Sequence, residues 1–181
     1  KKIITPEFKS AGDKVYLFIP KYTQDKLPDF DSLRALFDYI HSLAETGEVK
    51  AMYALDNGGV AEGLAKMSFG NRIGFKGDML DSGVLFGLNY GGFIVETAGD
   101  ADGSDKFDCR LIGQTVESES LTLGEATVTI DELQSAWEPT LEGIFPTKVA
   151  SVPAVKTETF TCGKRPTISP SVKFASPRVV I

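Results

Sequence analysis

The residues best placed for chemistry are Asp56-Asn57-Gly58-Gly59. They follow a short, mostly apolar run, Ala51–Leu55, and precede Val60, Leu64 and Met67, which recur at helical spacing. A helix opened by glycines turns its unpaired N–H groups and the positive end of its dipole outward, which suits a phosphate or another anion. Asp56, Asn57, Gly58 and Gly59 are therefore the candidate nucleotide- or phosphate-binding residues. The plain alternative is a structural strand–turn–helix corner. The other reactive side chains are sparse. His41 is the only histidine, so Ser-His-Asp chemistry and multi-histidine metal sites are excluded within this chain. Cys109 and Cys162 lack metal-ligand spacing, which fits a reducing cytoplasm, and Cys162 as a nucleophile is the sharper alternative. The acidic loop Gly99–Asp105 resembles a calcium loop in composition but lacks a closing glutamate and flanking helices. No catalytic residue and no metal ligand is assigned.

These residues need elements to hold them. Val15–Ile19 reads as a strand stopped by Pro20; Leu33, Leu36, Phe37, Ile40 and Leu43 form a helical stripe ended by Gly47. With the strand and helix around Gly58-Gly59 the first third reads β-α-β-α, and Ala61, Ala65 and Ser68 are expected to let the second helix lie close to a sheet. Ile73–Phe75 is a brief strand, Leu80–Leu88 a short helix or turn, and Phe93–Glu96, Cys109–Thr115, Leu121–Leu123 and Ala126–Ile130 are strands. Asp131 is the expected N-cap of a helix over Glu132–Leu141, with Trp137 as a core anchor.

The phrase Lys66-Met67-Ser68-Phe69-Gly70-Asn71 resembles Glu-Met-Ala-Phe-Ala-Gly-Asn of the C-terminal domain in the aminoimidazole ribonucleotide synthase-like family. Many members carry His-Asp-x-Ser-Asp-Gly-Gly before it. Aligned on the glycines, Tyr53 and Ala54 stand at His-Asp, and Asp56 and Asn57 at Ser-Asp. Leu85–Glu96 resembles the family phrase Leu-Phe-x-Glu-Ser-x-Gly-Arg-Phe-Val-Val-Glu, with Leu88 and Asn89 in place of Glu-Ser. Ile112-Gly113 resembles the start of Ile-Gly-x-Val. Glu132–Glu138 and Leu141–Pro146 are similar to the end of this domain in long members that continue into a glutaminase domain.

The resemblance covers Ile4–Pro146. It implies an α+β fold: a layered, antiparallel or mixed sheet carrying helices, in the manner of the aminoimidazole ribonucleotide synthase C-terminal domain, followed by an irregular linker. Its parent would be a ligase of purine biosynthesis. Such a ligase uses ATP and Mg²⁺ to activate the formamide oxygen of formylglycinamide ribonucleotide, and ammonia from glutamine then displaces the phosphate. The implied partners are other synthase domains and the glutaminase domain of the same polypeptide, with no tightly bound cofactor in this piece. Because Ala54 and Leu88 replace acidic positions, the piece is expected to be non-catalytic. The alternatives are a domain of the selenophosphate synthetase or thiamine-phosphate kinase type, or a free-standing ferredoxin-like binding module.

The composition bounds the rest. A net charge of −6 argues against a nucleic-acid partner. No apolar run approaches the ~18 residues of a membrane span, and Lys1–Pro6 lacks a signal-peptide core. Residues 1–146 are expected to form the domain. Residues 147–181 read as a linker, because prolines recur there and Lys148, Lys156, Lys164, Arg165, Lys173 and Arg178 face the single acid Glu158; the resemblance implies that the last residues, Arg178–Ile181, are the first strand residues of a following glutaminase domain. The opening on Lys1 and the stop at Ile181 lead us to expect an excised part of a longer polypeptide.

Overall fold

Alternate residues of the first strand serve two different cores. In the computed structural model, which describes residues 3–146, β1 (Lys14–Pro20) sends Val15 and Leu17 to one face of the sheet and Tyr16 and Phe18 to the other. All four are buried, as the two-residue period of a strand covered on both faces requires.

On the Tyr16–Phe18 face lies α1 (Phe30–Thr46). Asp29 caps it by accepting the Ser32 amide at 2.9 Å, and Gly47 ends it at φ 83°. Leu36, Ile40 and Leu43 are buried as the spacing predicts, whereas Phe37 is 46% exposed and meets Phe93 edge to face at 5.7 Å. On the opposite face lies α2 (Gly59–Phe69), reached from β2 (Val49–Ala54), with Val60, Leu64 and Met67 fully buried. The small residue that lets α2 approach the sheet is Gly63, whose added Cβ would stand 2.7 Å from Ile94 Cδ1. Ser68 is fully buried, and Ala61 and Ala65 are half-buried, packed against the same core and also lining a groove beside the helix.

The remaining elements are β3 (Gly74–Gly77), α3 (Ser82–Leu85), β4 (Phe93–Thr97), β5 (Phe107–Val116), β6 (Ser120–Leu123), β7 (Ala126–Thr129), α4 (Ile130–Trp137) and α5 (Pro139–Glu142). The strands form one seven-stranded sheet in the order β2-β4-β1-β5-β3-β6-β7. All its pairings are antiparallel except β3 with β6. The protein is thus α+β with a mixed sheet, and the two early helices sandwich it.

Three expectations at the end of the domain need correction. Asp131 is not the cap: Thr129 is, accepting the Glu132 amide at 3.1 Å while the Glu132 carboxylate accepts the Thr129 amide at 2.9 Å. Asp131 instead accepts from Arg72 at 2.6 Å. The expected helix over Glu132–Leu141 divides where Pro139 begins α5. Trp137 is no core anchor but is 55% exposed, with its ring 5.7 Å from that of Phe69 and Lys66 Nζ 5.9 Å above it.

Among the described residues no helix is long and apolar enough to cross a membrane. The linker, the strand start at Arg178–Ile181, and Cys162 lie outside the described residues.

Candidate functional site

Two loops meet at one end of the sheet, and they carry the two phrases singled out in the sequence. The first follows β2 and holds Asp56, Asn57, Gly58 and Gly59; the second lies between α3 and β4. Their strands are joined where the Leu55 amide donates to the Gly92 carbonyl at 2.9 Å. Gly59 is buried at φ 65°, and a Cβ there would stand 2.6 Å from the Gly87 carbonyl oxygen and 2.8 Å from that of Leu85. Only glycine fits this junction, for reasons of both backbone conformation and space. At the rim the Tyr90 hydroxyl donates to Asn57 Oδ1, and the Tyr22 hydroxyl donates to the Tyr90 carbonyl at 2.8 Å. Asn89, itself at φ 27°, secures the second loop by donating to the Val84 carbonyl at 2.7 Å.

The amides that made this turn a candidate cradle are answered within the chain. Asn57 N–H donates to Asp56 Oδ1 at 2.8 Å and Gly59 N–H to the Asp56 carbonyl at 3.0 Å. Gly58 N–H donates to Glu62 Oε2 at 2.8 Å, so a carboxylate from the next turn occupies the helix end. The other oxygen of Glu62 pairs with Lys66 at 2.5 Å, and that bond raises the Lys66 ammonium above its ordinary value. The carboxylate is the residue that sequence reading missed. Its signal was present, because an acid three or four positions into a glycine-opened helix reaches back to the first amides.

Among the described residues no three His, Cys, Asp or Glu side chains gather to hold a metal. Ala54 and Leu88, exposed at the rim, put methyl and isobutyl groups where the related phrases carry acids. A phosphate at this turn would have to displace Glu62 from the Gly58 amide.

The other candidates lie apart from these loops. His41 is exposed on α1, 3.7 Å from Glu45. In the acidic loop, Asp100 accepts from Lys14 and, at 3.0 Å, from the Tyr16 hydroxyl, which hold its carboxyl below the usual range. Cys109 is half-buried, and burial with the nearby Asp102 charge pushes its thiol up to about 11. It is no thiolate nucleophile at neutral pH.

No protein-family model matches the chain. Phosphoribosylformylglycinamidine synthase subunit PurL of Thermoplasma acidophilum is 28% identical over 169 residues, a match that spans 76% of this chain and 22% of the relative. Phosphoribosylformylglycinamidine synthase II of Thermotoga maritima shares the fold with a TM-score of 0.60 at 12% identity, over 87% of this chain and 30% of that one. PurLQS of the same organism gives a TM-score of 0.60 at 13% identity, over 88% of this chain and 31% of its partner in the comparison. Thermotoga PurL has also been solved in complexes with FGAR and with ATP. The chain therefore spans under a third of the length of each of these proteins. By its sequence similarity to PurL and by the fold it shares with the Thermotoga proteins, this chain is a PurL-related domain.

Proposed function

We propose that the chain serves as a C-terminal-type synthase domain of a phosphoribosylformylglycinamidine synthase. This is the cytoplasmic ligase that converts formylglycinamide ribonucleotide to the amidine in de novo purine biosynthesis, with ATP, Mg²⁺ and glutamine-derived ammonia. Within it this domain is non-catalytic. One observation carries the reading: the loops that bear the two family phrases are locked together through Gly59, while Ala54 and Leu88 leave that junction without the acids of an active half-site. The domain thus supports the assembly. Its partners are the other synthase domains and the glutaminase domain, with residues 147–181 as the connection to the latter. A phosphate contact at Asp56, Asn57, Gly58 and Gly59 requires Glu62 to leave the Gly58 amide.

Incubation of the purified chain with ATP, Mg²⁺, formylglycinamide ribonucleotide and ammonia tests the non-catalytic assignment. No substrate-dependent ADP release is expected; such release overturns it. In the intact parent, removal of residues 148–177 is expected to lower glutamine-dependent synthesis and to spare ammonia-dependent synthesis. A parent reading frame without a second synthase half would favour a relative of the selenophosphate synthetase or thiamine-phosphate kinase type, or a ferredoxin-like module.

A further inference from the structure

The N-terminal segment before β1 is held on the sheet by a cluster of ionisable groups remote from the two loops. Phe8 of this segment is fully buried in the α2-side core, and its amide donates to the Met67 carbonyl at 2.8 Å. Next to it, Glu96 of β4 is buried completely. Its carboxyl accepts the Lys9 amide at 2.9 and 3.1 Å and the Ser10 amide at 3.1 Å. Asp13 is its ionisable neighbour, reached through Ser10, whose amide donates to Glu96 and whose hydroxyl donates to Asp13. Asp13 in turn accepts from the Ser10 hydroxyl at 2.7 Å and from Lys50 of β2, with both oxygens 2.7 Å from Nζ.

The charges around Glu96 can be counted from each neighbouring element. The segment itself brings Asp13 and the Glu7–Lys9 pair, whose ammonium is turned to Glu7 and Thr5. β2 brings Lys50, which is committed to Asp13. β5 brings the neutral Thr115, whose hydroxyl bonds the carbonyls of Ser10 and Asp13. From β1 the residue opposite Glu96 is Val15, and from α2 the contact to the segment is Met67. The Lys50 ammonium is thus spent on Asp13, the neighbour of Glu96. Two buried carboxylates side by side repel, and a single proton between them removes the repulsion.

We propose that Glu96 and Asp13 form a proton-operated latch: with a proton shared between them the segment over residues 5–13 is held to the sheet, and loss of that proton loosens the segment. Burial, and after it the Asp13 carboxylate, raises Glu96 to about 7 against the opposing pull of the Ser10 and Lys9 amides. Asp13 itself stays below its usual value, because the bonds from Lys50 and Ser10 outweigh its burial. A carboxyl raised in the docked state takes up a proton on docking. The docked state therefore loses stability as pH climbs from the free value of 4.5 through about 7. Opening uncovers the Phe8 socket and the edge of β2, where Met52 N–H donates to the Thr5 carbonyl at 3.4 Å.

Amide hydrogen exchange on the 181-residue chain, expressed as protection factors from pH 5 to pH 8, tests the latch. Protection at Lys9 and Ser10 is expected to fall on the order of fifty-fold across that range, while Leu36 and Ile40 in α1 hold theirs. Glu96→Gln, which keeps an acceptor for the amides and a donor for Asp13, is expected to remain protected at pH 8. A ¹³C titration of the Glu96 carboxyl in the unmodified chain gives a readout that does not depend on the variant folding. Its midpoint is expected near neutrality, and Asp13→Asn is expected to move it to lower pH. Flat protection in the unmodified chain, an equal fall in α1, or a Glu96 midpoint in the ordinary carboxyl range overturns the proposal.

Discussion

The Gly58 amide donates to the Glu62 carboxylate at 2.8 Å, so the chain places its own anion at the helix end where a phosphate would sit. Glu62→Ala is expected to free that amide. In ¹H–¹⁵N spectra titrated with inorganic phosphate, Gly58 should shift in the variant with millimolar affinity and stay still in the parent chain. A Gly58 shift of equal size in both would show that the carboxylate does not guard the turn.

Gly59→Ala should be severely destabilising. The added methyl meets two carbonyl oxygens at 2.6 and 2.8 Å in a backbone conformation that L residues adopt at a cost. Urea unfolding is expected to show a loss of about 2–4 kcal/mol. Gly12, also at positive φ but with open space around it, provides the contrast: Gly12→Ala should cost only the conformational part, about 1–2 kcal/mol.

Thr129→Ala removes the cap of α4. The expected cost is about 1 kcal/mol by thermal or urea unfolding. Asp131→Ala, at the position that sequence alone nominates as the cap, should leave the helix start intact and release one of the two acids that Arg72 holds.

Cys109 should resist alkylation. With its thiol pushed up to about 11, roughly one molecule in a thousand carries the thiolate at pH 8. Labelling of Cys109 by iodoacetamide, followed by mass spectrometry, is expected to be slow at pH 8. It should quicken on unfolding in urea, where burial no longer opposes ionisation.

The elements were legible in the sequence where a local rule decides them. Leu36, Ile40 and Leu43 at helical spacing with Gly47 after them mark α1, and the β-rich run Val15–Ile19 stopped by Pro20 marks β1. The errors fall where two local signals compete or where a tertiary partner decides. Thr129 and Asp131 are both good caps, and only the reciprocal bond with Glu132 selects the first. Trp137 follows the apolar spacing of Leu133, but only Leu133 reaches the core; Trp137 lies at its edge, against Phe69 of α2. The residue types of Asp56–Gly59 mark a turn; that Glu62 fills it depends on a side-chain rotamer that spacing suggests and does not fix. The Glu96–Asp13–Lys50 cluster joins residues far apart in the chain, and no local pattern announces it.

Trp137 is the single tryptophan of the chain, and it lies on the outer seam between α2 and α4 rather than within either core. Intrinsic fluorescence is therefore a local gauge. Its emission senses the Phe69 ring and the Lys66 ammonium, and it will change when α4 lifts from α2 even if the sheet beneath is intact. Circular dichroism follows the whole backbone. Where the two signals part company along a denaturant series, the gap measures how far the α4 edge frays ahead of the remainder, and a single midpoint taken from fluorescence would understate the resilience of the sheet.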